Sequence, residues 1–229
     1  MTIQRGFSLI ELAIVLVIIT LLISGLAVPL SAQIQARRVA ETKKTLEQAQ
    51  EAIMGYAMTH QNAGKPYLPC PAGADGTEKT RDITNGACPT EEGYFPWVTL
   101  GTAAQDAWGN RILYRATAAF SNSNGFQSTD NGDIQICSAS GCPSGYLATN
   151  VPVVLVSFGP NGHGALSVNN TSQAAPTSAD ELENTNSDKF YISRVPTLAG
   201  TPSGEFDDLV VWIPSGLIRG RVCPSGGCP

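Results

Sequence analysis

Charge is what this chain has least of: Asp, Glu, Lys and Arg make up 14% of its 229 residues. Its 14 basic residues are outnumbered by 19 acidic ones, a net charge of −5, so no broad basic face is available for nucleic acid. Aromatic residues are 7% of the whole, and the two histidines, His60 and His163, stand far apart. There is no Gly-x-Ser-x-Gly, no phosphate-cradling glycine loop and no His-centred acid–base pair, which argues against an enzyme. The 6 cysteines never occur as Cys-x-x-Cys, which disfavours zinc. With charge so sparse, the polar surface has to come from Asn, Ser, Thr and Gly, a composition common in exported proteins.

What the chain does have is one long apolar run, Gly6 to Pro29, reading GFSLIELAIVLVIITLLISGLAVP. At 1.5 Å per residue it is long enough to span a bilayer core as a helix. A secretory signal would have a shorter apolar region, roughly 7–15 residues, and a more basic start than the single Arg5. One charge, Glu11, interrupts the run. A carboxylate in hydrocarbon is costly and asks for a partner. The plainer alternative is that it sits in the first helical turn, where the helix dipole favours an anion.

The stretch Arg5-Gly6-Phe7-Ser8-Leu9-Ile10-Glu11 closely resembles the N-terminal signature of type IV pilins and type II secretion pseudopilins. The resemblance implies cleavage by a prepilin peptidase between Gly6 and Phe7 and N-methylation of the new amino terminus at Phe7. It implies that Glu11, fifth in the mature chain, pairs with the amino terminus of a neighbouring subunit during assembly. Partners are then other pilin or pseudopilin subunits, the peptidase/methyltransferase and the inner membrane. The chain divides as a leader at 1–6, a transmembrane and assembly helix at 7–29, an amphipathic continuation at 30–62 and an exported globular domain at 63–229.

All the cysteines, Cys70, Cys88, Cys137, Cys142, Cys223 and Cys228, follow the apolar run, as an oxidising compartment requires. Fifteen pairings are possible; proximity favours Cys70–Cys88, Cys137–Cys142 and Cys223–Cys228. Arg37, Arg38, Lys43 and Lys44 also follow it, and the positive-inside rule alone would put that side in the cytoplasm. The cysteines and the cleavage signature together outweigh that rule and predict a periplasmic domain.

Pro29 should kink or pause the helix. Beyond it, Ile34, Val39, Leu46, Ile53 and Ala57 fall on one face, with Thr42, Ala49 and Gln50 filling the stripe, until Asn62, Gly64 and Pro66 stop it. Tyr67 to Trp108 reads as a long ordered loop pinned by Tyr94, Phe95, Trp97 and Trp108. Asp106-Ala107-Trp108-Gly109-Asn110 is similar to the Asp-Pro-Trp-Gly-Asn segment of major pseudopilins, with Ala107 in place of Pro. Strands are predicted at about 111–116, 133–137, 152–158, 190–195 and 209–213, the third and last as central strands. The fold class is therefore α+β and pilin-like: a long N-terminal helix, membrane-spanning in its first half, packed on an antiparallel sheet with disulfide-tied loops.

Residues 159–189 form a polar connection long enough to be either functional or mobile. Asp180, Glu181, Glu183 and Asp188 crowd it, and Asp207-Asp208 open the last strand. Calcium takes six to eight oxygens in flexible geometry, and major pseudopilins bind it in a loop of corresponding position. A merely solvated acidic loop is the competing reading. The function expected is that of a structural subunit, a minor pilin or pseudopilin. The alternative is a membrane-anchored, disulfide-bonded extracytoplasmic binding domain that does not polymerise.

Overall fold

A computed structural model describes residues 8–142, 145–223 and 228, without the side chains of 23–29. It resolves into two compact units, Met1–Ala40 and Glu41–Pro229. Helix α1, Leu9–Thr59, belongs to both. Position 29 is helical, so Pro29 does not end α1, contrary to the expected pause.

In the first unit every described side chain from Ser8 to Leu22 is exposed, Leu9 by 89%. A helix that is apolar all round needs lipid or other helices to cover it. Among the described residues no helix is long and apolar enough to cross a membrane. The described apolar side chains at the head of α1 run from Leu9 to Leu22, about 21 Å of helix. The rest of the predicted span, Phe7 and the side chains of 23–29, lies outside the described residues. Ile34, expected on the buried stripe, is 44% exposed.

Burial begins in the second unit at Thr42 and proceeds through Leu46, Ala49, Ile53, Met54 and Ala57. These recur at the i, i+3, i+4 spacing that puts one helical stripe on a core. The helix ends in a tight hairpin, β1 (Gln61–Asn62) and β2 (Lys65–Pro66), whose two turn residues, Ala63 and Gly64, have φ of 50° and 81°. Left-handed φ at both positions is what a two-residue hairpin turn demands.

The remaining elements are β3 (Glu92–Tyr94), α2 (Trp97–Leu100), β4 (Leu113–Ala116), α3 (Ala118–Ser121), β5 (Ile134–Cys137), β6 (Tyr146–Val151), β7 (Val153–Ser157), α4 (Ala179–Glu183), β8 (Phe190–Ile192), β9 (Leu209–Ile213) and α5 (Ser215–Val222). They form two larger sheets rather than the one expected. The first is antiparallel, in the order β3-β4-β7-β9. The second, β6-β5-β8, is mixed, because β5 and β8 run parallel.

Strand β7 is buried along its whole length, and the period-2 alternation of a strand sorts its side chains. Val153 and Leu155 join the core formed with Leu46, Ile53 and Ala57 of α1, while Val154 and Val156 join Ile134, Ile136 and Tyr191 of the second sheet. The layers of this unit are thus helix, sheet and sheet. Strand β9, expected to be central, is an edge strand, and the Gln50 side chain donates to its Trp212 carbonyl at 3.0 Å.

The loop read from Tyr67 to Trp108 contains β3 and α2, and Phe95 is its buried anchor. The Asp106–Asn110 segment closes as a turn. Asp106 Oδ1 accepts from the amides of Trp108 and Asn110, both at 2.9 Å, Oδ2 accepts from Ser157 Oγ at 2.7 Å, and Thr42 Oγ1 accepts from the Ala107 amide. Disulfides join Cys70 to Cys88, Cys137 to Cys142 and Cys223 to Cys228, the pairs nearest in sequence.

Candidate functional site

Two places carry chemistry. The first is the head of α1. Gly6 and Phe7, the residues of the expected cleavage and methylation, lie outside the described residues. Glu11 is described, and it is not without a partner in its own chain. Its Oε2 accepts from the Ser8 amide at 2.8 Å, and Ser8 Oγ accepts from the Glu11 amide at 3.3 Å. This reciprocal pair is a capping box, which satisfies two of the donors that any helix start leaves open. The Ser-x-x-Glu spacing was present in the sequence as its signal.

The second place is acidic. Of the six carboxylates considered from sequence, only Glu181, Asp207 and Asp208 come together: one oxygen from each lies within 4.8 Å of the others. Asp180 is taken up elsewhere, at 2.6 Å from Arg194 Nε and accepting from the Ser140 amide. Glu183 and Asp188 accept from the Asn186 side chain at the surface. Sequence proximity grouped these three with Glu181, but α4 points Asp180 and Glu183 in other directions and Asp188 lies beyond its end.

The cluster is built from three segments. Ser178 caps α4 by accepting from the Glu181 amide, which sets the Glu181 side chain at 1% exposure. The turn after β7 brings Asn161, whose amide donates to Asp207 Oδ2 at 2.9 Å and whose Nδ2 donates to Glu181 Oε1 at 3.1 Å. Gly159 permits that turn: at φ 59° a Cβ there would stand 2.3 Å from the Asp207 carbonyl oxygen. On the far side Asn184 Nδ2 donates to Asp208 Oδ2 at 2.8 Å.

Each carboxylate therefore has one oxygen held and one left over. Glu181 Oε2, Asp207 Oδ1 and Asp208 Oδ1 are shut off from solvent and lack a hydrogen-bond partner. Burial pushes the Asp207 carboxyl up to about 6, opposed by the Asn161 amide and reinforced by Glu181 and Glu205. Burial also raises Asp208 well above the usual carboxylate range, against the pull of the Asn184 amide. Three converging carboxylates with orphan oxygens fit a hard divalent cation, which would hold them ionised at neutral pH. His163 and Glu205, which sequence did not connect to this region, also lie beside Glu181.

Residues 1–27 match the family model described as the prokaryotic N-terminal methylation motif, the signature of type IV pilins and pseudopilins. No curated protein and no solved structure matches the chain.

Proposed function

We propose that the chain, headed by this methylation motif, is a structural subunit, a minor pilin or pseudopilin of a type IV pilus or a type II secretion filament. The observation that carries the reading is the motif in register with Glu11 on the first turn of a helix whose side chains from Leu9 to Leu22 are all exposed. In this reading residues 1–6 are the leader, Phe7 is the methylated terminus, and the apolar run holds the subunit in the inner membrane until it packs among sister helices. The disulfide-bonded domain faces the periplasm and then the filament surface, since its bonds need an oxidising compartment.

Processing is the direct test. Mass spectrometry of the mature chain should find Phe7 first and its amine methylated. A side chain at Gly6 crowds the peptidase's approach to the scissile peptide, so Gly6→Val should accumulate uncut in the membrane. Normal-sized mature protein from that variant would count against the reading.

A membrane anchor that never polymerises is favoured by one observation, the Ser8–Glu11 capping contact, which gives the acid a purely local job.

Glu181, Asp207 and Asp208 would hold calcium in the globular domain, tying α4 to the start of β9. Calcium at a hundred times its Kd should then stabilise the fold by about 2.7 kcal/mol. That is a Tm rise of roughly 5–10 °C for a domain of this size. A chelator should remove the gain, and Asp208→Asn should not show it. An unchanged melting curve with calcium and with chelator would restore the solvated-loop reading.

A further inference from the structure

We propose that His163, Glu181 and Glu205 form a separate site for a borderline divalent transition metal of the zinc class, with Glu181 shared between it and the all-oxygen cluster. One ligand atom from each of the three lies within 4.8 Å of the others. His163 Nδ1 and Glu181 Oε2 face each other at 3.8 Å. That is too long for a hydrogen bond. It is close to the separation of about 3.4 Å between two ligands that each stand about 2.1 Å from a tetrahedral zinc.

Neither facing atom makes a hydrogen bond. Glu181 has 1% of its side chain exposed, and its Oε2 has no hydrogen-bond partner. His163 Nδ1 is likewise screened from water and unpartnered. Leaving a buried carboxylate oxygen and a buried ring nitrogen unsatisfied costs free energy, which a shared ion would recover.

The supporting groups are set for ligation. The His163 amide donates to Asn161 Oδ1 at 2.8 Å, and Asn161 Nδ2 donates to Glu181 Oε1. One asparagine thus orients both ligands, as second-sphere groups do in metal sites. Glu205 is held beside Phe206, whose backbone pairs with Thr197 in both directions at 2.8 and 3.0 Å. Glu205 is only partly buried, so a fourth position can be filled by water. Imidazole is what separates the two groups chemically. Carboxylate oxygens alone suit calcium, whereas a nitrogen with two carboxylates suits zinc.

The test is titration of the full chain in detergent with zinc alone and with calcium alone. Zinc should bind one equivalent in this region. His163→Gln, which removes no hydrogen bond made by the ring to the protein, should weaken zinc binding by about tenfold or more and leave calcium affinity unchanged. Glu181→Gln should weaken both, Asp208→Asn calcium alone, and His60→Gln neither. In the unmutated chain, whose histidines are His60 and His163, nitrogen NMR gives a measurement independent of folding in the variants. Zinc should shift the Nδ1 resonance of His163 and spare His60. Equal zinc affinity in His163→Gln, or an unshifted His163 resonance at saturating zinc, would overturn the proposal.

Discussion

A Glu11→Gln chain is expected to be cleaved and to stay in the membrane, yet to be lost from the filament. The choice of glutamine follows from the structure. Glu11 accepts from the Ser8 amide in a capping box, and glutamine preserves that contact because its carbonyl oxygen accepts equally well. Only the charge is removed. If Glu11 serves the helix start alone, glutamine should be almost neutral, and Glu11→Ala should cost about 1 kcal/mol of local helix stability. If Glu11 neutralises the amino terminus of an incoming subunit, removing one member strands the other charge in an apolar environment. The penalty is then on the order of 3–5 kcal/mol per contact, and both variants should fail to co-assemble while their globular domains melt normally. Filament recovery by shear fractionation measures this. Wild-type incorporation of Glu11→Gln would end the pairing role and favour the anchor. Glu11→Asp adds a control on geometry, since it keeps the charge and shortens the reach by one methylene.

Loss of the Cys70–Cys88 bond should be the most damaging of the three disulfide deletions. Its sequence separation is 18, against 5 for each of the others. In the chain-entropy account that difference is about 3 against about 2 kcal/mol. The paired Cys70→Ser, Cys88→Ser variant should therefore melt roughly 6–12 °C lower. The enclosed loop has a second attachment. Arg81 donates to the carbonyls of Leu68 and Ser121 and stacks on Tyr67, while Glu78 accepts from the Cys70 amide and Tyr56 Oη. These contacts should keep the loop docked once the covalent link is gone. Adding Glu78→Gln to the serine pair should then cost more than the same change with the disulfide intact. A melting point unchanged by the double serine substitution would show that the polar network holds the loop alone.

Local signals were readable without a structure because each depends on residues close together in the chain. The methylation motif, the run of apolar residues and the stripe Leu46, Ala49, Ile53, Ala57 are of this kind. So are β7 and β9, whose continuous apolar sequences announce strands, and the three short-range cysteine pairs. The Ser8–Glu11 capping box was equally local. Sequence also placed Asp207 and Asp208 among the carboxylates able to converge.

Pairing and convergence were decided by tertiary structure. β6 carries no apolar alternation, since most of its side chains face solvent, and it becomes a strand only by hydrogen bonding to β5. β3 is three residues long and exists because β4 offers it an edge. That β9 lies at an edge, and that a second sheet covers the far face of β7, depends on connections no local pattern encodes. The acidic centre shows the same division. Glu181 was grouped with Asp180, Glu183 and Asp188 by sequence, but α4 turns Asp180 and Glu183 away, Asp188 lies beyond that helix, and Asn161 draws Glu181 towards Asp207 instead. His163 reaches Glu181 only because the turn after β7 folds back upon α4. Apolar periodicity is written into neighbouring residues, whereas the meeting of buried polar atoms is set by how distant segments satisfy one another's hydrogen bonds.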